Sequence, residues 1–320
     1  MRNLIIAFLM VFTLVSCNDN KEEVQIENKV HKVKVGYLNM VSSLTHFVAI
    51  EKGYYKEQNL EVTGNPIKTS NLITQELVTG HINVGIELAI IPILKQLEKS
   101  PDTIKIFSTS NITTENGFDA VLVKSSSSIN NLEDLAGKKV GGFPGSTAKV
   151  SFTQLFIKKF PNLEPPTFIQ MTPNLHIQSL ETGDIDALFA YEPVLSTGKV
   201  KYGFKQIFPS VYGSQFSPNP IGVGAVNQQW LESNPETASL FFIAIDKSLD
   251  FINNNPKEAK SILAKATKID DEIAQNMNTL PLSKSSEIDL VNLDKYLELL
   301  QKLEEIDALP NATSISINQN

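Results

Sequence analysis

The residues with the clearest chemical reading are hydroxyl, amide and carboxyl side chains at the ends of apolar runs. Gly145-Ser146-Thr147 opens a run whose spacing predicts a helix over Thr147 to Phe160. A helix N-terminus presents unpaired N–H groups and partial positive charge, so it suits an anionic or electron-rich group. Ser146 and Thr147 add hydroxyl donors there, although Ser146 is equally what an ordinary cap requires. Asn39, Ser42 and Ser43 follow the alternating run Val33 to Tyr37, Glu87 follows Ile82 to Ile86, and Asn111 follows Ile104 to Thr109. Tyr191 and Glu192 follow Asp186 to Ala190 in the same way. Polar residues just after strands lie at the C-terminal edge of an α/β sheet, where such sheets bind ligands. A solvated loop is nevertheless the commoner fate of any one of them. Tyr37 and Tyr191 could stack on a flat ligand or serve as core aromatics.

Several other chemistries are absent from the chain. His31, His46, His81 and His176 make no HExxH and no close His/carboxylate group, so no metal site is expected. His46, near the first-strand edge, reads as a solvated helix position. No GxSxG elbow and no GxxxxGK[ST] loop occurs, and Ser146 has no identifiable histidine–acid pair. No catalysis and no cofactor is expected. The single cysteine, Cys17, excludes an internal disulfide framework, a four-cysteine zinc site and a CxxC pair. Arg2 is the only arginine, so the body has no guanidinium fork for carboxylate, sulfonate or phosphate. With a net charge of −7 and no basic run, nucleic-acid binding is disfavoured.

The elements that must position these residues alternate strand and helix. The 320 residues, 42% hydrophobic, suffice for two lobes of roughly 100–200 residues each. After the first strand, Leu44 to Lys52 is expected as a helix. Further helices are expected over Ser70 to Thr79, Ile91 to Lys99 and Asn174 to Thr182, and strands over Phe118 to Val123, Lys139 to Gly142, Thr167 to Met171 and Ile221 to Val226. Strand–helix alternation with short connections predicts open, mostly parallel α/β sheets. Polar breaks at 125–128 and 212–220 place two crossings near 124 and 217. Residues 33–123 with 217–310 are thus expected as lobe 1 and 124–216 as lobe 2, joined by a two-strand hinge. From Gln228 onward the pattern is helical.

The N-terminus reads as an address. Arg2 precedes a short apolar run from Leu4 to Leu14, too short to span a bilayer. Leu14-Val15-Ser16-Cys17 resembles the lipobox of bacterial lipoproteins, which implies a signal over 1–16 and a lipid on Cys17. Residues 17–32 are then a tether holding the body to the extracytoplasmic side of a membrane.

Four stretches carry a wider resemblance. They are Phe47 to Val62, with Ala49-Ile50-Glu51-Lys52-Gly53-Tyr54-Tyr55 at its centre; Leu135-Ala136-Gly137-Lys138-Lys139-Val140-Gly141 running into Pro144 to Ala148; Gly183 to Pro193; and Trp230 to Glu236. Together they resemble the extracytoplasmic solute-binding proteins of ABC importers, in the group for sulfonates, nitrate and thiamine-precursor pyrimidines. The resemblance implies a two-lobed periplasmic-binding-protein-like fold of type II. It also implies a monomer closing on a small-molecule solute, and an ABC permease with its ATPase as partners. Enzymes on the same fold are the alternative, namely pyrimidine-precursor synthases and menaquinone-pathway types. The synthases rely on a cysteine-rich stretch that is missing here, and the menaquinone-pathway enzymes are cytoplasmic. A ligand-binding subunit of a membrane sensor is a further alternative. Without arginine, an α-carboxylate grip is disfavoured. If Glu87 and Glu192 face the cleft, an amine or ring N–H is preferred, because a desolvated carboxylate beside an anion is costly. An aminopyrimidine-like ring or a taurine-like zwitterion is therefore expected over nitrate.

Overall fold

The structure, a computed structural model, describes residues 29–144, 146–307 and 311–317. The signal, Cys17 and most of the tether lie outside these residues, as does Gly145. Ten strands form two sheets: β1 (His31–Tyr37), β2 (Leu60–Pro66), β3 (Val84–Ala89), β4 (Ile104–Ile112), β5 (Asp119–Val123), β6 (Lys139–Gly142), β7 (Thr167–Gln170), β8 (Ala187–Tyr191), β9 (Lys205–Phe208) and β10 (Asn219–Asn227). The first sheet has the order β2-β1-β3-β10-β4 and the second β7-β6-β8-β5-β9. β1 pairs parallel with β2 and β3, and β10 runs antiparallel between β3 and β4. The second sheet repeats the plan, with β6 parallel to β7 and β8 and β5 reversed between β8 and β9. Both lobes are therefore the expected open, mostly parallel α/β sheets.

The strands are apolar on both faces because helices cover both. In β5, Val121 and Val123 face a core with Phe152, Phe156 and Phe189, while Ala120 and Leu122 face one with Leu180 and Leu188. In the first sheet, Leu88, Val223 and Ala225 pack towards helices Ile90–Lys99 and Leu290–Lys302. Val33, Val35 and Ile86 pack on the opposite side with Ala49, Phe241 and Ile245. Burying each such aliphatic or aromatic side chain is worth roughly 1.5–3 kcal/mol, so both sheets are rigid platforms for their edges.

One boundary is corrected. The run Phe118 to Val123, expected to finish the first lobe, forms β5, an inner strand of the second sheet between β8 and β9. The first crossing is therefore at 113–118 and not near 124; the second is the segment 209–218 between β9 and β10. A short, fully apolar strand reads the same in either sheet, so periodicity could not assign it. Helix Val194–Tyr202, strand β9 and helix Val211–Gln215 also had no expectation attached to them.

Candidate functional site

On the first-lobe side, the chain leaves β1 through an exposed Asn39 into a tight turn over Val41–Ser43. Ser43 Oγ donates to the Leu38 carbonyl at 2.6 Å and so closes its own turn. Ser42 Oγ, next to it, is buried without a hydrogen-bond partner. β3 packs against this turn and carries Glu87 near its end, inside the strand rather than after it.

Glu87 has φ 45°, a left-handed conformation that costs a non-glycine residue on the order of 1 kcal/mol. It sits in a bulge of β3: between the pairs Gly85 with Ala225 and Leu88 with Val223, Ile86 and Glu87 together oppose the single Gly224. Ser108 Oγ donates to Glu87 Oε1 at 3.1 Å. Oε2 and the nearby Ser110 Oγ are buried, and neither has a partner of full hydrogen-bond geometry. Gly222 leaves the space for them: a Cβ there would fall 2.4 Å from Ser110 Oγ and 3.4 Å from Glu87 Oε2. Burial pushes the Glu87 carboxyl up to about 7, against the opposing pull of the Ser110 and Ser108 hydroxyls. Asn111 also lies within its strand; its backbone N–H donates to Pro281 O at 3.0 Å and its amide to Thr109 Oγ1 at 3.2 Å.

On the second-lobe side, Ser146 is the first residue of helix Ser146–Lys159, and only its backbone is described. Thr147 lines a crevice with Ile91, Tyr212, Asn219 and Tyr296. This places the first turns of Ser146–Lys159 and Ile90–Lys99, one from each lobe, on the same gap. Tyr191 stacks on Phe143 at 4.5 Å and 23°, and its hydroxyl bonds that of Tyr212 at 2.7 Å. Tyr191 also packs against the first-lobe cluster containing Val41 and Ile112, sequence neighbours of Ser42 and Asn111. Burial raises both tyrosines far above their usual range, so they act as neutral hydroxyls. Together Phe143, Tyr191 and Tyr212 form an aromatic wall.

Glu192 already has partners within the chain. Its carboxylate accepts from Ser196 N at 3.0 Å, from Ser196 Oγ at 2.9 Å, and from Asn278 N of the first lobe at 3.2 Å. It caps helix Val194–Tyr202 and spans the lobes. Its carboxyl is raised by burial, with those same hydrogen bonds opposing the shift.

Asp119 joins the two crossings. Ser210 Oγ donates to its Oδ1 at 2.7 Å and Val211 N to its Oδ2 at 2.6 Å, and burial lifts it to about 6 against those bonds. His46 is fully buried rather than solvated, since helix Leu44–Glu51 packs beneath Tyr37 and Tyr55. Its Nδ1 pairs with Tyr55 OH at 2.9 Å, and burial lowers it to about 4.

The sequence reading missed Ser108, Ser110, Phe143, Tyr212 and Asn219. The hydroxyl-rich Ser108-Thr109-Ser110 inside an apolar strand was an available signal, because buried hydroxyls in a central strand require partners. Among the described residues, no group of three or more His, Cys, Asp or Glu could hold a metal ion. No helix among them is long and apolar enough to cross a membrane.

Similar proteins share both sequence and shape. A protein of Bacillus subtilis (strain 168) named for aliphatic sulfonate binding is 22% identical over 301 residues, covering 91% of this chain and 86% of its own. A 4-amino-5-hydroxymethyl-2-methylpyrimidine phosphate synthase of Saccharomyces cerevisiae is 22% identical over 67% of this chain and 64% of its own length. The crystal structure of the periplasmic aliphatic sulphonate binding protein of Escherichia coli superposes with a TM-score of 0.72 at 12% identity. That superposition covers 91% of this chain and 94% of the other, and shows the shared two-lobed fold. The family described as NMT1/THI5 like matches residues 41–259, well over half of the sequence, and the chain belongs to that family.

Proposed function

We propose that the chain is the extracytoplasmic solute-binding component of an ABC importer, a non-enzymatic monomer that closes two lobes on a small molecule and delivers it to a permease and its ATPase. The observation that carries this reading is the meeting of polar sheet edges across two chain crossings. Ser42, Glu87 and Asn111 come from one sheet, and Tyr191 with the Thr147 helix start from the other. Asn39 borders the same edge. Ser146 belongs to the same helix start and would add a donor to an oxyanion. Similarity to the two sulfonate-binding proteins supports the reading. Leu14-Val15-Ser16-Cys17 supports a lipid anchor on the outer face of a bacterial membrane.

Thermal unfolding of the soluble body with a panel of sulfonates, nitrate, pyrimidines and amino acids tests it. A solute at 100 times its dissociation constant adds about 2.7 kcal/mol, a readable shift in melting temperature. Thr147→Ala is expected to weaken the hit without changing the melting temperature of the free protein by more than about a degree. The anchor has its own test. The full chain expressed in a bacterium should sediment with membranes, and Cys17→Ser should release it. Turnover of a pyrimidine-forming mixture by the purified protein would instead support catalysis of the kind named for the yeast relative.

A further inference from the structure

We propose that Glu87, with Ser110 and Ser42, receives a hydrogen-bond-donating nitrogen group of the solute, and that this carboxylate, not Glu192, sets the class of solute taken. The proposal rests on the solute-binding reading and adds the chemistry of one end of the ligand. Three observations carry it. Glu87 Oε2, Ser110 Oγ and Ser42 Oγ are all buried, and none has a partner of full hydrogen-bond geometry. Buried polar atoms in native proteins are nearly always satisfied, and Glu87 Oε2, with only the Ser110 hydroxyl beside it, keeps acceptor capacity for a donor from outside the chain. Glu192, the other buried carboxylate at these edges, already accepts from Ser196 and Asn278 on both oxygens.

The second observation is the backbone. A glutamate held at φ 45° within a bulge of its own strand, with a glycine at 222 keeping the space clear, is a costly arrangement for a residue with no ligand. The third is position. Ser110 lies two residues before the end of β4, where the chain crosses to the other lobe, and Gly222 lies near the start of β10, where it returns. The carboxylate is thus at the end of the first sheet that faces the second lobe. A carboxylate accepts only, so an ammonium or a heterocyclic N–H fits it. A sulfonate, nitrate or carboxylate end belongs elsewhere, and the helix start at Thr147 is suited to it.

The test is titration calorimetry on the soluble protein with two matched pairs: taurine against ethanesulfonate, and 4-aminopyrimidine against pyrimidine. Nitrate is run alongside. The nitrogen-bearing member of at least one pair should bind about tenfold tighter than its partner. Glu87→Gln should bring the taurine ratio close to one. It should reduce the aminopyrimidine ratio less, because the amide oxygen still accepts a neutral N–H; this separates an ammonium from a ring amine. Ser110→Ala should weaken the same solute, and retained cooperative melting shows that both variants fold. Equal binding within the pairs, binding of nitrate or ethanesulfonate alone, or a Glu87→Gln variant that keeps the full taurine ratio would overturn the assignment and leave the solute-binding reading standing. Binding of nothing in the wider panel would overturn both.

Discussion

At the scale of single residues, Glu87 is expensive to the fold. Its carboxyl titrates at about 7 in the folded chain against 4.5 when free. A raised carboxyl value means that its contribution to stability is fully present below 4.5 and is lost as pH rises through 7. The loss is on the order of 3 kcal/mol. Glu87→Gln should therefore melt above the wild type near pH 8 in the absence of solute, and the gap should close towards pH 5. Equal melting temperatures at pH 8 would show that the carboxylate is comfortably solvated. His46 acts in the opposite sense. Held at about 4 by burial, it stabilises fully above 6.5 and loses that contribution as pH falls towards 4. Only the difference between variant and wild type isolates Glu87. Gains of stability at the cost of function are common where a site holds an unpaired charge. Little of this was legible from residue types. Glu87 could be named from its place after an apolar run, but its flipped backbone sits in a bulge that exists only in the pairing with β10, a strand more than 130 residues away. No local pattern encodes that register.

At the scale of elements, helix Val194–Tyr202 depends on the carboxylate before it. Pro193 gives no side-chain cap, so Glu192 supplies the acceptors for Ser196 and for Asn278 of the other lobe. Glu192→Ala should strand those buried N–H groups, at about 1–3 kcal/mol each. Urea unfolding should show a lower midpoint, and binding should weaken through lost closure rather than a lost contact. A variant with unchanged midpoint would place Glu192 in the ligand's shell after all. Alternation made most elements readable: Lys139–Gly142 and the start of Ser70–Val78 fall where apolar spacing and capping put them. Sheet membership was not readable for Asp119–Val123, because a strand buried on both faces carries no mark of which neighbours bury it. The short helix Val211–Gln215 owes its start to Asp119 and Ser210, partners about 90 residues apart, and Lys205–Phe208 owes its form to pairing with Val121–Val123.

At the scale of the molecule, the lobes are linked on one side by Glu192 to Asn278 and by Lys201 to Asp270 at 3.0 Å, while the other side holds the crevice at Thr147. On the proposed solute-binding reading, closure about 113–118 and 209–218 would act on both links, so each would contribute to the balance between open and closed forms. They differ in kind. Lys201 and Asp270 are about half exposed, so their attraction is screened by salt, whereas the Glu192 link is buried and nearly indifferent to it. Lys201→Glu turns the exposed link into a like-charge pair. At low salt it should speed the dissociation of whichever solute the thermal panel identifies, and the effect should fade near 0.5 M salt, where screening acts within about 4 Å. Glu192→Ala should speed dissociation equally at both salt concentrations. Stopped-flow release measured on the two variants separates a rim that steers closure from a buried latch that holds it. Identical salt dependence for the two would mean that closure does not pass through this side of the molecule.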